Sequence, residues 1–281
     1  MSEFWDWWQH LPQNINPVIF EIGWFKVQYY GASYIAAFAL TYFLVLYRIK
    51  HEKRFTFTKD QINDITTYAI LGLIIGARLG YVLFYNLAYY LHHPLEIFLP
   101  FSFSNGFSFT GISGMSYHGG LIGALLAVTW YVRKAKLNFW DVADLYFTVV
   151  PLGYTCGRLG NFMNGELYGR ITTAPIGMYF PQAAETALRH PSQLYEAFFE
   201  GIFLFVILWR IRKFQKPRGA MLAFYVIGYG TVRFFIEFFR QPDAHIGFIF
   251  LSFSMGQILC ALMIAGGIGL YLYLRQTQQR V

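Results

Sequence analysis

A dense group of polar side chains occupies the segment Gly157 to Arg170, which reads GRLGNFMNGELYGR and directly follows an apolar stretch. A charged side chain near the centre of a bilayer costs roughly 2.5–3.5 kcal/mol, so such a cluster beside an apolar helix indicates a functional site. Guanidinium, amide and carboxylate groups together predict that a polar, anionic molecule is held there. The polar residues of the segment are Arg158, Asn161, Asn164, Glu166 and Arg170.

Four more segments place polar groups at the ends or along one face of apolar stretches. GARLGYVLFYN carries Arg78 about two turns before a helix end, and GMSYHGGLIG carries His118 at a helix start. Two further segments, HPSQLYEAFFEG and YGTVRFFIEFFRQPDAH, repeat polar residues at helical spacing, so that each set shares one helix face. Those sets are Gln193, Glu196 and Glu200 in the first segment, and Tyr229, Arg233, Glu237 and Arg240 in the second. These faces are predicted to point at protein or water.

Two interpretations of these groups remain open from the residues alone. The three glutamates either only neutralise buried arginines in structural ion pairs or take part in function. His118 is either an interfacial histidine with satisfied hydrogen bonds or a general base, since its unperturbed pKa lies near 6.5. The glutamates are Glu196, Glu200 and Glu237, and the arginines that they would neutralise are Arg78, Arg158 and Arg233.

The elements that must position these residues are membrane helices. The chain has 281 residues, of which 56% are hydrophobic and only 13% charged, too little polar surface for a soluble domain of this length. Backbone groups in lipid must be satisfied within the segment, so long apolar runs predict helices. We predict an all-α, polytopic membrane protein that forms one domain over residues 1–281. About seven transmembrane helices are expected near residues 25–47, 65–85, 117–132, 140–156, 193–209, 219–239 and 250–274.

The basic residues predict the orientation of these helices. Most of the 22 Lys and Arg residues fall in alternate short connections and in the tail, whereas the connection over residues 86–116 contains none. By the positive-inside rule, this asymmetry places the N-terminus outside and the C-terminus inside. The net charge of +7 therefore lies on the inner face, where anionic lipids are, and does not indicate nucleic-acid binding. The sequence shows no metal-ligand motif.

Taken together, the polar segments resemble those of the bacterial prolipoprotein diacylglyceryl transferases. The matching segments run in the same order along the chain: YYG at residues 29–31, GARLGYVLFYN, GMSYHGGLIG, GRLGNFMNGELYGR, HPSQLYEAFFEG and RFFIEFFRQPDAHIG. The resemblance implies an enzyme of the bacterial inner membrane with its active site towards the periplasmic leaflet. It would transfer diacylglyceryl from phosphatidylglycerol to the lipobox cysteine of a prolipoprotein, forming a thioether and releasing glycerol 1-phosphate. The family uses no metal or dissociable cofactor.

The resemblance and the chemistry together suggest roles for particular residues. Arg158, which matches the family's lipid-binding arginine, and Arg233 are expected to clamp the phosphate, because a guanidinium suits phosphate oxygens. His118 is the expected base for the thiol, with Tyr30 and Tyr229 orienting substrate or relaying the proton. The expected substrate-binding residues are Arg158, Asn161, Asn164, Glu166, Gly169, Glu237, Arg240 and Arg78.

Several alternatives stay open at this stage. Nearby arginines could stabilise the thiolate directly, in which case no dedicated base is required. A lipid or anion transporter would also bury arginines and glutamates, although the sequence has only a weak repeat of Arg-Leu-Gly at residues 78 and 158. The sequence does not determine the acyl-chain preference, the access paths of the two substrates or the oligomeric state.

Overall fold

The computed structural model describes residues 2–23, 25–99, 101–102, 108–109, 114–214, 216–241, 248–250 and 253–278. Most of them are helical, as predicted, and three short antiparallel hairpins occur between the helices. In chain order, the elements are α1 (Ser2–His10), β1 (Val18–Ile22), β2 (Phe25–Gln28), α2 (Tyr29–His51), α3 (Lys59–Tyr85), α4 (Leu87–His92), β3 (Phe101–Ser102), β4 (Ser108–Phe109), α5 (Tyr117–Lys134), α6 (Phe139–Phe147), α7 (Val150–Met163), α8 (Ser192–Glu196), α9 (Leu204–Ile211), α10 (Ala220–Ile236), β5 (Phe248–Phe250), β6 (Phe253–Ser254) and α11 (Met255–Gln278).

Within the described residues, three helices, α2, α3 and α11, are long and apolar enough to cross a membrane. They coincide with the spans predicted near residues 25–47, 65–85 and 250–274, which supports a membrane protein. The total of seven spans and the orientation of the termini stay predictions.

The prediction of a single helix over residues 140–156 is wrong, because α6 ends at Phe147 and a separate helix, α7, begins at Val150. Pro151 lies in the first turn of α7, where its missing N–H removes no helical hydrogen bond.

The chain divides into two compact units, one formed by Met1–Phe55 with Trp140–Val281 and the other by Thr56–Phe139. The prediction of one domain over the whole chain stays a prediction. In the smaller unit, a row of glycines on α3 packs against glycines on α5; the row comprises Gly72, Gly76 and Gly80, and it meets Gly119 and Gly123. A Cβ added at Gly72 would lie 2.5 Å from the carbonyl oxygen of Gly123, so only glycine permits this approach of the two backbones.

In the larger unit, α2 packs along α7 through small residues. Gly153 lies against Ala37 and Thr41, and Gly160 lies against Ser33 and the first turn of α2. These contacts bring the end of α7, with its polar segment, beside the start of α2. The chain from α8 to α9 is continuous but passes through a π-helical stretch at Ala197–Phe203, a feature that often marks functional sites.

Candidate functional site

Glu196 at the end of α8 is the centre of a network of ion pairs. Its Oε2 lies 2.8 Å from Nε of Arg158 on α7 and 3.1 Å from Nη1 of Arg233 on α10. Its Oε1 accepts a hydrogen bond of 2.7 Å from Nη1 of Arg240, just after α10. One carboxylate therefore holds three arginines that are far apart in the sequence. Glu196 thus forms the ion pairs with Arg158 and Arg233 that were one of the two interpretations open from the sequence.

Two further glutamates complete the network. Nη1 of Arg233 lies 3.6 Å from Oε1 of Glu200, and its Nη2 lies 3.4 Å from Oε2 of Glu237. Glu237 also lies 3.6 Å from Nε of Arg240 and accepts a hydrogen bond from the Ser254 hydroxyl at 3.2 Å. Three arginines thus face three carboxylates, so the ion pairs balance when every carboxylate is ionised.

The glutamates and the arginines of this network differ in the exposure of their side chains. The side chains of Glu196 and Glu200 are 0% exposed, whereas those of Arg158 and Arg233 are 16% and 17% exposed. The carboxylates therefore lie behind the arginines and hold them from the protein side. The arginines are left to face the open side of the site, so an approaching anion meets guanidinium groups first.

Tyr154 belongs to this network, although the sequence interpretation did not single it out. Its hydroxyl accepts a hydrogen bond of 2.7 Å from Nε of Arg158, and its one proton is shared between Glu200 at 2.5 Å and Glu196 at 3.1 Å. The Arg158 guanidinium also lies over the Tyr154 ring, 4.8 Å from its centroid. The signal was present in the sequence, because Tyr154 precedes Arg158 by one helical turn.

A second chain of hydrogen bonds runs from Arg158 into the loop after α7. Nη1 of Arg158 donates to Oδ1 of Asn161 at 3.3 Å, and Nδ2 of Asn161 donates to Oε1 of Glu166 at 2.8 Å. Asn161 thereby joins the arginine to the loop carboxylate, and Glu166 orients Arg158 through it. Oδ1 of Asn164 is buried and has no hydrogen-bond partner among the described residues.

The loop that carries Glu166 has an unusual backbone and is held by the first two residues of α8. Gly165 and Leu167 both have positive φ, 69° and 59°, and for a leucine this conformation costs about 1–2 kcal/mol. The Ser192 hydroxyl donates to the Leu167 carbonyl at 3.0 Å, and the Gln193 amide donates to the Glu166 carbonyl at 2.6 Å. The motif residues Ser192 and Gln193 therefore stabilise the strained loop that presents Glu166.

Gly169 permits a close approach between two backbones of the chain itself. A Cβ at this position would collide with the carbonyl oxygen of Phe239 and with His190. Next to it, Arg170 donates from its backbone N–H to the Phe239 carbonyl at 2.9 Å and from Nε to the Arg240 carbonyl at 2.7 Å. Gly169 thus fixes Arg240 against the loop, and its predicted contact with substrate stays a prediction.

Two predicted site tyrosines surround the network. Tyr30 lies in the first turn of α2 beside Gly160, and its hydroxyl is 3.1 Å from that of Tyr34. The Tyr229 ring packs edge-on against that of Tyr154, with 6.0 Å between centroids. Tyr229 therefore packs against a residue that binds Arg158, and Tyr30 lies beside the helix that carries Arg158.

Arg78 and His118, the two remaining predicted residues, belong to the smaller unit. Arg78 is buried and donates to the carbonyls of Glu96 and Ile97, both at 2.6 Å, and of Gly114 at 3.3 Å. The pairing of Arg78 with a glutamate, which the sequence left open, stays a prediction. His118 is exposed in the first turn of α5. Their roles towards substrate stay predictions.

Within the described ranges, no three His, Cys, Asp or Glu side chains converge in a way that would hold a metal ion. The two free cysteines, Cys156 and Cys260, lie on α7 and α11.

Comparison with known proteins gives concordant matches over nearly the whole chain. Residues 17–273 match the family model described as prolipoprotein diacylglyceryl transferase. A protein of Chlorobaculum tepidum named phosphatidylglycerol–prolipoprotein diacylglyceryl transferase is 56% identical over 280 residues, covering 99% of this chain and 96% of the relative. Relatives with the same name from Treponema denticola and Pseudoalteromonas atlantica are each 44% identical, over 90% and 92% of this chain and 91% and 89% of the relatives.

Proposed function

We infer that this chain, which belongs to the prolipoprotein diacylglyceryl transferase family, transfers the diacylglyceryl group of phosphatidylglycerol to a prolipoprotein, the first step of lipoprotein maturation. The acceptor in this proposal is the thiol of the lipobox cysteine. Its thiolate attacks the diacylglyceryl carbon next to the phosphate, a carbon–sulfur bond forms, and the carbon–oxygen bond breaks. The electron pair leaves on the phosphate oxygen, and the products are a thioether and glycerol 1-phosphate.

The observation that carries this proposal is the outward-facing layer of arginines over buried carboxylates. The leaving group gains negative charge as the carbon–oxygen bond breaks, and fixed guanidinium groups stabilise that charge in a site with little water. Arg158 and Arg233 would clamp the phosphate, because both side chains are partly exposed and both pair with the buried Glu196. Arg240 extends the same layer.

The glycerol head group of the lipid would bind next to this clamp. Asn161 and Glu166 form a hydrogen-bonded pair that reaches Arg158, and the buried Oδ1 of Asn164 offers an acceptor for a hydroxyl. Gly169 and Glu237 support this region through their contacts with the segment around Arg240. Arg78 is the remaining substrate-binding residue of the proposal.

Ionisation of the acceptor thiol has two routes, which a pH profile separates. A free thiol with pKa about 8.5 is only slightly ionised at neutral pH. If His118 takes the proton, with Tyr30 and Tyr229 orienting or relaying it, His118→Gln abolishes the rate at neutral pH. If the arginines stabilise the thiolate directly, His118→Gln keeps partial activity with an unchanged pH profile.

The proposal includes seven membrane spans in the bacterial inner membrane, with the N-terminus outside and the site towards the periplasmic leaflet. The distribution of Lys and Arg supports this orientation. Labelling of single introduced cysteines with a membrane-impermeant thiol reagent tests it. Labelling from outside at residue 87 and only after permeabilisation at residue 135 is expected, and the reverse pattern would contradict the orientation.

A mass-spectrometric assay tests the reaction itself. Purified protein in phosphatidylglycerol liposomes is incubated with a lipobox peptide that contains either cysteine or serine at the acceptor position. The expected result is a diacylglyceryl mass gain on the cysteine peptide only, which is lost with the Arg158→Ala enzyme. Lipid or anion flux across the liposomes without any mass gain would contradict the proposal and favour a transporter.

A further inference from the structure

A cavity of about 680 Å³ lies at the end of α2 opposite to the Glu196 network. Tyr30 and Arg48 stand at the two ends of this helix, and a rise of 1.5 Å per residue separates them by roughly 27 Å. The cavity is therefore distinct from the proposed transfer site. Its lining residues are Tyr47, His51, Glu52, Lys53, Arg54, Arg212, Lys213, Phe214, Lys216 and Arg218.

Basic side chains dominate this cavity. Among the described residues that line it, Glu52 is the one carboxylate beside six Lys and Arg residues. The Glu52 carboxylate is paired with two arginines: both of its oxygens accept hydrogen bonds from Arg48, at 2.8 and 2.9 Å, and Oε1 also accepts one from Arg212. The Arg54 guanidinium pairs with Asp144, which is fully buried. The cavity thus keeps an excess of positive charge.

Arg212, which lines the cavity, is held in a geometry that favours binding of an anion. The Arg212 guanidinium stacks on the Trp209 ring, 3.5 Å from its centroid, and Glu52 holds its Nε. A guanidinium fixed in this way loses little freedom when it binds phosphate oxygens. Lys53 and Lys213 lie at the exposed edge and form no ion pair in the part of the chain that the structure describes.

Lys216, another basic residue of the cavity lining, is held by backbone carbonyls. Its ammonium donates to the carbonyls of Ile211, Arg212 and Phe214 at 2.7–3.0 Å. Burial, followed by the nearby charge of Arg54, nevertheless lowers the pKa of Lys216 to about 8. An anion bound in the cavity would offset that repulsion.

We propose that this cavity binds a phosphate group, carried either by an anionic phospholipid of the adjacent leaflet or by a free phosphate. The volume lies within the range of small-ligand pockets. The site lies outside the diacylglyceryl transfer machinery and does not depend on it.

The test uses the full-length protein and a pair of matched double variants. Lys53→Gln/Lys213→Gln removes two exposed charges at the cavity edge, whereas Lys50→Gln/Arg210→Gln removes two exposed charges outside its lining, on α2 and α9. Retention of phosphatidic acid by the protein in phosphatidylcholine nanodiscs is measured by native mass spectrometry, and binding of pyrophosphate in non-ionic detergent by calorimetry. Thermal unfolding and transfer rate confirm that both variants are folded.

The expected result is at least threefold weaker binding of phosphatidic acid, of pyrophosphate or of both by the cavity variant, with the control equal to the wild type. Weakening of the lipid alone identifies a phospholipid, and weakening of pyrophosphate alone identifies a free phosphate. The proposal is overturned if the two variants weaken equally, which would reflect net charge only, or if neither probe distinguishes the cavity variant from the wild type. Failure of the transfer assay would leave these binding results unaffected.

Discussion

Two arginine–glutamate groups, one at the end of α2 and one around Glu196 towards its start, are built in opposite ways. At the end near residue 48, the arginine is buried and its partner is the more exposed, with Arg48 1% and Glu52 21% exposed. At the other end, Glu196 is 0% exposed and Arg158 16%. The two groups therefore differ in which partner is the more exposed, the carboxylate of Glu52 in the first and the guanidinium of Arg158 in the second.

Hydrogen bonding separates the two groups as well. Arg48 donates to both oxygens of Glu52 and to the carbonyls of Asp144 and Leu145, so four of its five N–H donors are engaged. In the network around Glu196, three buried atoms lack hydrogen-bond partners within the described residues: Nη1 of Arg233, Oε1 of Glu200 and Oε2 of Glu237. Unused bonding capacity in a buried polar network is costly unless a ligand completes it. We propose that Arg48 stabilises the fold and that the Glu196 network serves the reaction.

The largest expected effect comes from removing the shared carboxylate. Glu196→Gln takes the charge away from beneath three arginines, and we expect the transfer rate to fall by roughly 10³-fold, since breaking a buried ion pair costs about 3–5 kcal/mol. The matched change Glu52→Gln should lower the unfolding temperature but leave the rate per folded molecule unchanged. Rates are measured by the peptide transfer assay. Equal loss of rate in both variants would remove the distinction between the two ends.

The next effect concerns the shape of the clamp. Arg158→Lys keeps the charge but loses the planar fork and the hydrogen bond to Asn161, so a loss of roughly 100-fold is expected, the lower range for one lost donor to developing charge. Arg48→Lys is the control, and it should cost stability without slowing the folded enzyme. Near-normal turnover of Arg158→Lys would contradict the clamp.

A smaller effect is expected at the tyrosine beneath the clamp. Tyr154→Phe removes the hydroxyl that joins Arg158 to Glu200, and a hydrogen bond to a charged group is worth about 1.5–3 kcal/mol, so the rate should fall at least about tenfold. Tyr131→Phe, which removes a hydroxyl bonded to Asp64 in the smaller unit, is the control and should keep its rate. If kcat and KM are unaffected in both variants, Tyr154 only packs.

The smallest effect is a pH dependence of stability at the residue 48 end. Burial alone would raise the pKa of Glu52, but the hydrogen bonds and charges of Arg48 and Arg212 outweigh it and hold that pKa below the ordinary value of 4.5. The stabilisation is therefore complete above pH 4.5 and is lost as the pH falls through the pKa of the folded state. The difference in unfolding temperature between wild type and Glu52→Gln should narrow below pH 4.5. A difference independent of pH would show that the ionic form contributes nothing.

Much of the site was predictable because it follows helical spacing. The i+4 steps from Tyr229 to Glu237 and the face shared by Glu196 and Glu200 required only the helix period. Tyr154 was missed, although it obeys the same rule, because the sequence contains many tyrosines. The sequence did not predict the helix break after Phe147, because an apolar run does not show where one helix ends and the next begins. Pro151, in the first turn of α7, was the residue that could have indicated it. The hairpins lie in connections, where pairing depends on residues distant in the sequence.

The sequence by itself determined the membrane class, from composition and apolar runs, and the family, from the order of its polar segments. It also determined which side chains share a helix face, since that depends on local geometry alone. Only the tertiary structure decided that Glu196 pairs with Arg158, Arg233 and Arg240, and that its carboxylate is more deeply buried than the three arginine side chains. Helical periodicity defines the polar face of one helix, but it does not specify which neighbouring helix that face packs against. That choice results from close packing at glycines such as Gly153 and Gly160, which brings α7 against α2.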